Sequence, residues 1–193
     1  MAMNDLPRDE PLTIWTIGHS TRPVAELVEL LRQAEVTLLV DIRSVPRSRT
    51  NPQFNREVLP PALAAAGIAY RHLPALGGLR GRQKGVRSSN LLWRSEAFRN
   101  YADYAASSTD FRAGLRELID LAADRRSAIM CAEAVWWRCH RRIVSDYLIV
   151  SGLSVRHILG RGQIEAASLT PGAAPQPDGT ILYPAAAEQL PLF

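Results

Sequence analysis

The sequence predicts an α/β fold: a single domain on a mainly parallel β-sheet with helices on both faces, followed by an extended C-terminal tail. Three observations carry this. Strand-like apolar runs alternate with amphipathic helical patterns in the order β-α-β-α-β-(αα)-β-α-β, which implies parallel strands joined by crossover helices. Residues 36–42 form a nearly continuous apolar run, as in a strand covered on both faces. The length, 193 residues, and the hydrophobic share, 47%, suit one domain with a full core.

Each element follows from local pattern. Residues 12–17 read as a first strand and Gly18-His19-Ser20-Thr21 as a turn. Residues 23–34 form an amphipathic helix with Val24, Leu27, Leu30 and Leu31 on one face. Pro23 suits its first turn, and Ser20 or Thr21 is placed to cap it. After the strand at 36–42 comes a polar loop, 43–55, then a short helix at 56–66 that Gly67 ends. Residues 68–73 are a third strand. A long Gly/Arg loop fills 74–94, and loops of that length in a compact domain are usually functional or disordered. Helical patterns cover 96–106 and 109–123. Residues 127–131 are a fourth strand, 138–150 a helix and 153–158 a fifth strand. The domain is assigned to residues 12–159. Residues 160–193, rich in Gly, Pro and Ala, are assigned to the tail.

The net charge of +4 conceals an asymmetry. Residues 43–94 hold ten Lys and Arg and one acid, Glu57, giving +9; the remainder is therefore −5. A field concentrated in this way attracts an anionic partner such as nucleic acid or a phosphorylated substrate. Lys84 is the sole lysine, so arginine forks supply the charge, and these suit bidentate phosphate recognition. An Arg-rich genome explains the bias equally well. No stretch approaches the roughly 20 apolar residues of a membrane helix, and the polar N-terminus lacks a secretory core. A cytoplasmic location without membrane association is expected. In that compartment two cysteines are expected as thiols, metal ligands or redox groups rather than as a structural disulfide.

Chemistry concentrates at predicted strand ends, where α/β proteins place their sites. Gly18 and Ser20, leading into a helix N-terminus, suggest an anion site, with simple capping as the alternative. Asp41 and Arg43 end the second strand, and Arg43, Arg47 and Arg49 cluster within seven residues. Cys131 ends the fourth strand just before a helix and arginines, which would lower its pKa; a buried, inert thiol is the alternative. Arg138 lies seven positions on, one more than a phosphatase loop needs. Cys131, Cys139, His140 and one further group are conceivable zinc ligands, but finger and ribbon sites use closer pairs and four Cys or His ligands. No metal ligand set is assigned, and the sequence requires no cofactor. Glu133, flanked by Val135, Trp136 and Trp137, is the better acid/base candidate, because apolar surroundings raise a carboxylate. Trp136 and Trp137 suit either base stacking or ordinary packing.

Taken together these residues resemble the domain of unknown function 488 family. The resemblance rests on Ile17-Gly18-His19-Ser20, Asp41-Ile42-Arg43 with Pro46, Ser48 and Arg49, then Phe54 and Gly67-Ile68-Ala69-Tyr70. It continues through Leu76-Gly77-Gly78-Leu79-Arg80 and Cys131-Ala132-Glu133 with Cys139-His140-Arg141. Ala134-Val135-Trp136-Trp137 departs from the family, which usually has a more polar, proline-containing turn there. The resemblance implies a compact α/β domain with a shared polar pocket and supplies no reaction. The C-terminal Gln189-Leu190-Pro191-Leu192-Phe193 resembles the peptide by which bacterial replication and repair proteins bind the DNA sliding clamp. Gln189 would supply amide hydrogen bonds, and Leu190, Leu192 and Phe193 would fill an apolar groove. A tail packed on its own domain is the alternative.

The expected function is that of an enzyme, a hydrolase or transferase, acting on nucleic acid or a nucleotide and recruited by the sliding clamp. Asp41, Glu133, His19, Cys131 and His140 are the candidate catalytic residues. Gly18, Ser20, Arg43, Arg49, Tyr70, Gly78, Arg80 and Arg141 are the candidate phosphate or substrate contacts. An enzyme on a small phosphorylated metabolite and a non-catalytic nucleic-acid-binding adaptor are the alternatives.

Overall fold

The structure is a computed structural model that describes residues 11–83, 85 and 87–185. A six-stranded sheet has the order β3-β2-β4-β1-β5-β6. Its strands are β1 (Thr13–Gly18), β2 (Leu38–Asp41), β3 (Ala69–His72), β4 (Ser127–Cys131), β5 (Ser154–Gly160) and β6 (Gln163–Ala166). The first five are mutually parallel, and β6 adds antiparallel to β5. This is the mainly parallel α/β architecture expected from the alternation.

Helices α1 (Val24–Gln33) and α2 (Leu59–Ala64) cover one face; α3 (Glu96–Ser107), α4 (Thr109–Asp124) and α5 (Arg141–Val150) cover the other. Strand side chains alternate between faces, so β1 sends Ile14 to the α3–α5 side and Trp15 and Ile17 to the α1–α2 side. In β4, Ile129 and Cys131 likewise separate from Ala128 and Met130. The central strands are buried on both faces, which is why they read as unbroken apolar runs.

Two local expectations are corrected. Helix α1 has no side-chain cap from Ser20 or Thr21; Pro23 is its N-cap. Ser20 instead takes a left-handed conformation, φ 49°, in the turn. The helix expected from Arg138 begins at Arg141, because Cys139 is extended (φ −135°, ψ 150°) and a 3-10 turn covers Trp136–Arg138.

The segment that begins the tail is folded onto the domain. Beyond β6, β7 (Ala174–Pro175) and β8 (Ile181–Leu182) pair as a small hairpin. Tyr183 is fully buried and its ring lies 5.0 Å from that of Trp93. Its hydroxyl donates to Asp146 Oδ2 at 2.9 Å, and its amide donates to Asn90 Oδ1 at 2.9 Å. The Thr170 amide donates to the other Asp146 oxygen at 2.8 Å. Gln189, Leu190, Leu192 and Phe193 lie outside the described residues.

Candidate active site

A cavity of about 390 Å³ opens at the carboxyl ends of β2 and β4, on the side of α3 and α5. Four segments build it. The β2 end supplies Arg43, Ser44 and Val45; the loop after β3 supplies Gly78 and Leu79. Helix α3 supplies Phe98 and Tyr101, and the segment from β4 to α5 supplies Cys131, Glu133, Arg138, Cys139 and His140. Of the residues expected from sequence, Arg43, Gly78, Cys131, Glu133 and His140 are brought together here.

Behind the cavity wall sits a closed polar network. Asp41 is fully buried and accepts from the Arg43 amide (3.0 Å), from Arg43 Nε (2.9 and 3.1 Å), from Arg43 Nη2 and from the Tyr70 hydroxyl (2.8 Å). Arg43 also donates to the Phe54 carbonyl and, through Nη1, faces His19 Nε2 at 3.1 Å. His19 Nδ1 lies 2.8 Å from the Ser20 carbonyl, so it carries the proton and Nε2 accepts from Arg43. Burial pushes His19 down to about 4, with the Arg43 charge assisting, and keeps the ring neutral; it stacks on Phe54 at 4.2 Å.

This network corrects several roles. Asp41 and His19 are committed to orienting Arg43, and neither lines the cavity. Tyr70 serves the same carboxylate; burial first, then Asp41, raises its hydroxyl above the ordinary range. In the turn after β1 the amides of His19 and Ser20 are taken, donating to the Cys131 and Ala132 carbonyls at 3.0 and 2.9 Å. Gly18 is required for close approach: a Cβ there would sit 1.8 Å from the Glu133 carbonyl oxygen. Arg80 clamps its own loop, donating to the carbonyls of Pro74, Ala75 and Gly77 and lying over the Tyr104 ring at 3.9 Å. Arg49 is exposed and away from the cavity.

The β4–α5 segment is itself held by Arg141, 1% exposed. Its Nη2 donates to the Glu133 carbonyl at 2.6 Å, and its Nε lies 3.4 Å from Cys139 Sγ. Burial lowers its guanidinium to about 9, partly offset by Glu133, so it stays charged near neutral pH. Arg141 is thus a support beneath the wall and does not line the cavity. Glu133 is exposed to solvent rather than enclosed by its apolar neighbours in sequence. Trp136 is taken up by stacking on His157 at 4.4 Å.

Cys131 and Cys139 face each other and are joined as a disulfide, with Cα atoms 7.7 Å apart. The expectation of separate thiols is corrected to that extent: the turn after β4 folds back until both sulfurs meet. His140 Nε2 lies 3.0 Å from the Ile42 carbonyl, which makes it the donor and leaves Nδ1 unprotonated. Burial pushes this ring down to about 4. Its Nδ1 lies 3.6 Å from Cys139 Sγ.

Sequence reasoning missed Ser44, Phe98 and Tyr101. Ser44 Oγ accepts the Leu79 amide at 2.9 Å and so fixes the glycine loop over the cavity. Phe98 and Tyr101 belong to a helix whose amphipathic pattern reads only as core packing.

No helix among the described residues is long and apolar enough to cross a membrane. No curated protein and no solved structure matches the chain. A family model described as "Domain of unknown function DUF488" matches residues 23–148. That match spans β2, β3, β4 and nearly all of α5, the elements whose ends enclose the cavity, and the chain belongs to the DUF488 family.

Proposed function

We propose that the protein is an enzyme that hydrolyses or transfers a group at a nucleotide, either free or as an unstacked unit of a nucleic acid. The observation that carries this reading is the composition of the cavity wall. The lining combines Glu133, Arg138 and Arg43 with Phe98, Tyr101 and Leu79. An aromatic and apolar surface suits a base. The guanidiniums suit phosphate oxygens, and the +9 window at 43–94 raises the local concentration of anions. About 390 Å³ falls within the usual range for a small-ligand site and is too narrow for a duplex. Glu133 is the proton-transfer group, being the acidic side chain in the lining.

The test pairs binding with turnover. Mononucleotides and a short single strand are titrated calorimetrically, and a nucleotide mixture is incubated with protein and analysed by mass spectrometry. Binding weakened roughly 5- to 100-fold by Phe98→Ala is expected, together with product formation reduced about 100-fold or more by Glu133→Gln. Tight binding without product from the wild type would favour a non-catalytic adaptor. Sugar phosphates bound in place of nucleotides would favour a small phosphorylated metabolite as substrate.

Recruitment by the bacterial sliding clamp belongs to the same proposal, and its support is the C-terminal pentapeptide at 189–193. Clamp retained on the full chain and lost on a chain ending at residue 188 is the expected pull-down result. Equal recovery on both would remove the clamp from the proposal.

A further inference from the structure

We infer that Cys131, Cys139 and His140, with the cysteines reduced, bind a zinc-class divalent cation whose fourth position opens into the cavity. The two Sγ atoms and a ring nitrogen of His140 all lie within 4.8 Å of one another. Tetrahedral zinc, with sulfur at about 2.3 Å and nitrogen at about 2.0–2.1 Å, needs its ligand atoms roughly 3.5–3.8 Å apart. Small side-chain rotations reach that spacing.

The surroundings of the three ligands fit the same reading. His140 donates Nε2–H to the Ile42 carbonyl, the outer hydrogen bond that typically fixes a metal-ligating imidazole, and this leaves the Nδ1 lone pair for the ion. Gly78 keeps space open beside that atom, because a Cβ there would fall 2.4 Å from Nδ1. Arg141, buried and without a carboxylate ion pair among the described residues, lies 3.4 Å from Cys139 Sγ and favours the thiolate. Two thiolates and one imidazole are soft donors that select zinc over magnesium or calcium. All three ligands line the cavity, as does Glu133. Three protein ligands with an open fourth position are the pattern of catalytic zinc, which activates a bound water.

The chemistry balances as follows. A thiol reductant passes two electrons and two protons to the Cys131–Cys139 disulfide and is itself oxidised to a disulfide. The two thiols then release two protons as the cation binds. The inference concerns the cavity of the proposed function but does not depend on the substrate, and its test contains none.

The metal-free, reduced full-length protein is titrated with Co²⁺ and then Zn²⁺ under anaerobic conditions. One equivalent per chain is expected, with thiolate-to-cobalt charge transfer in the near ultraviolet and intense tetrahedral bands in the visible. The charge-transfer band should weaken in Cys139→Ser and vanish when Cys131→Ser is added, and Gly78→Ala should weaken binding at least ~10-fold without removing a ligand. X-ray absorption of the wild-type zinc protein should give two sulfur neighbours and at least one nitrogen, a readout that needs no variant to fold. Absence of stoichiometric binding by reduced protein, or a zinc shell without sulfur, would overturn the inference.

Discussion

Arg141 and Gly18 act on the same few backbone atoms. The guanidinium of Arg141 holds the Glu133 carbonyl from below, and the bare Cα of Gly18 lets that carbonyl approach β1. Arg141→Met removes the charged donor that holds this carbonyl, which costs about 1–3 kcal/mol. Gly18→Ala forces a methyl group into backbone and costs about 3 kcal/mol or more. Both losses should appear as lower urea midpoints with unchanged slopes; a Gly18→Ala protein as stable as wild type would contradict the close approach. Residue types at this scale were legible from sequence, but their division of labour was not. Asp41, Arg43 and His19 stand out as strand-end polar groups. That Tyr70 completes the Asp41 shell, while His140 keeps an unprotonated Nδ1, depends on partners 29 and 98 positions away.

At the scale of elements, strands buried on both faces and the long helices α1, α3 and α4 announce themselves by period. β4 coincides with its expected bounds of 127–131 because both faces of the strand are apolar and its ends are polar. Strands β6 to β8 do not, since two to four residues carry too little periodicity to stand out in a Gly- and Pro-rich stretch. β6 is attached by its pairing with β5, and the segment that carries β7 and β8 is held in part by buried bonds from Thr170 and Tyr183 to Asp146. Burial raises the Asp146 carboxyl above its ordinary value, against the hydrogen bonds from Thr170 and Tyr183 that lower it. A raised carboxyl stabilises the fold most below the ordinary carboxylate range, and that contribution falls as pH rises through the raised value. Tyr183→Phe removes one stabilising bond from the anion. It should therefore cost about 1–3 kcal/mol at neutral pH and less in acid below the raised value, where the carboxyl takes up its proton. Urea unfolding at the two pH values checks this; an equal loss at both would place the Tyr183 contribution in packing alone.

The whole molecule carries a second pH dependence of opposite sense. His19 and His157, each 2% exposed, are pushed by burial from 6.5 to about 4. A lowered histidine gives stability that is fully present above pH 6.5 and is lost as pH falls toward 4, because the unfolded chain takes the proton first. Each accounts for on the order of 3 kcal/mol across that window. Denaturation curves between pH 7.5 and 4.5 should show stability falling with acid, and His157→Gln should flatten the slope by up to one proton. An unchanged slope would mean that His157 binds its proton equally well in the folded and the unfolded chain. Fold class and the cavity's position at strand ends follow from sequence, since alternation fixes the parallel sheet and the parallel sheet fixes its carboxyl edge. The contribution of α3 to the cavity does not, because packing angles between helices leave no mark on a single helix's pattern. The stack of Trp136 on His157, 4.4 Å apart and within 14° of parallel, gives this titration an optical signal. A protonated imidazole quenches an adjacent indole. In a protein whose other tryptophans are replaced by phenylalanine, the emission of Trp136 would report the charge of His157 from inside the sheet, without a label.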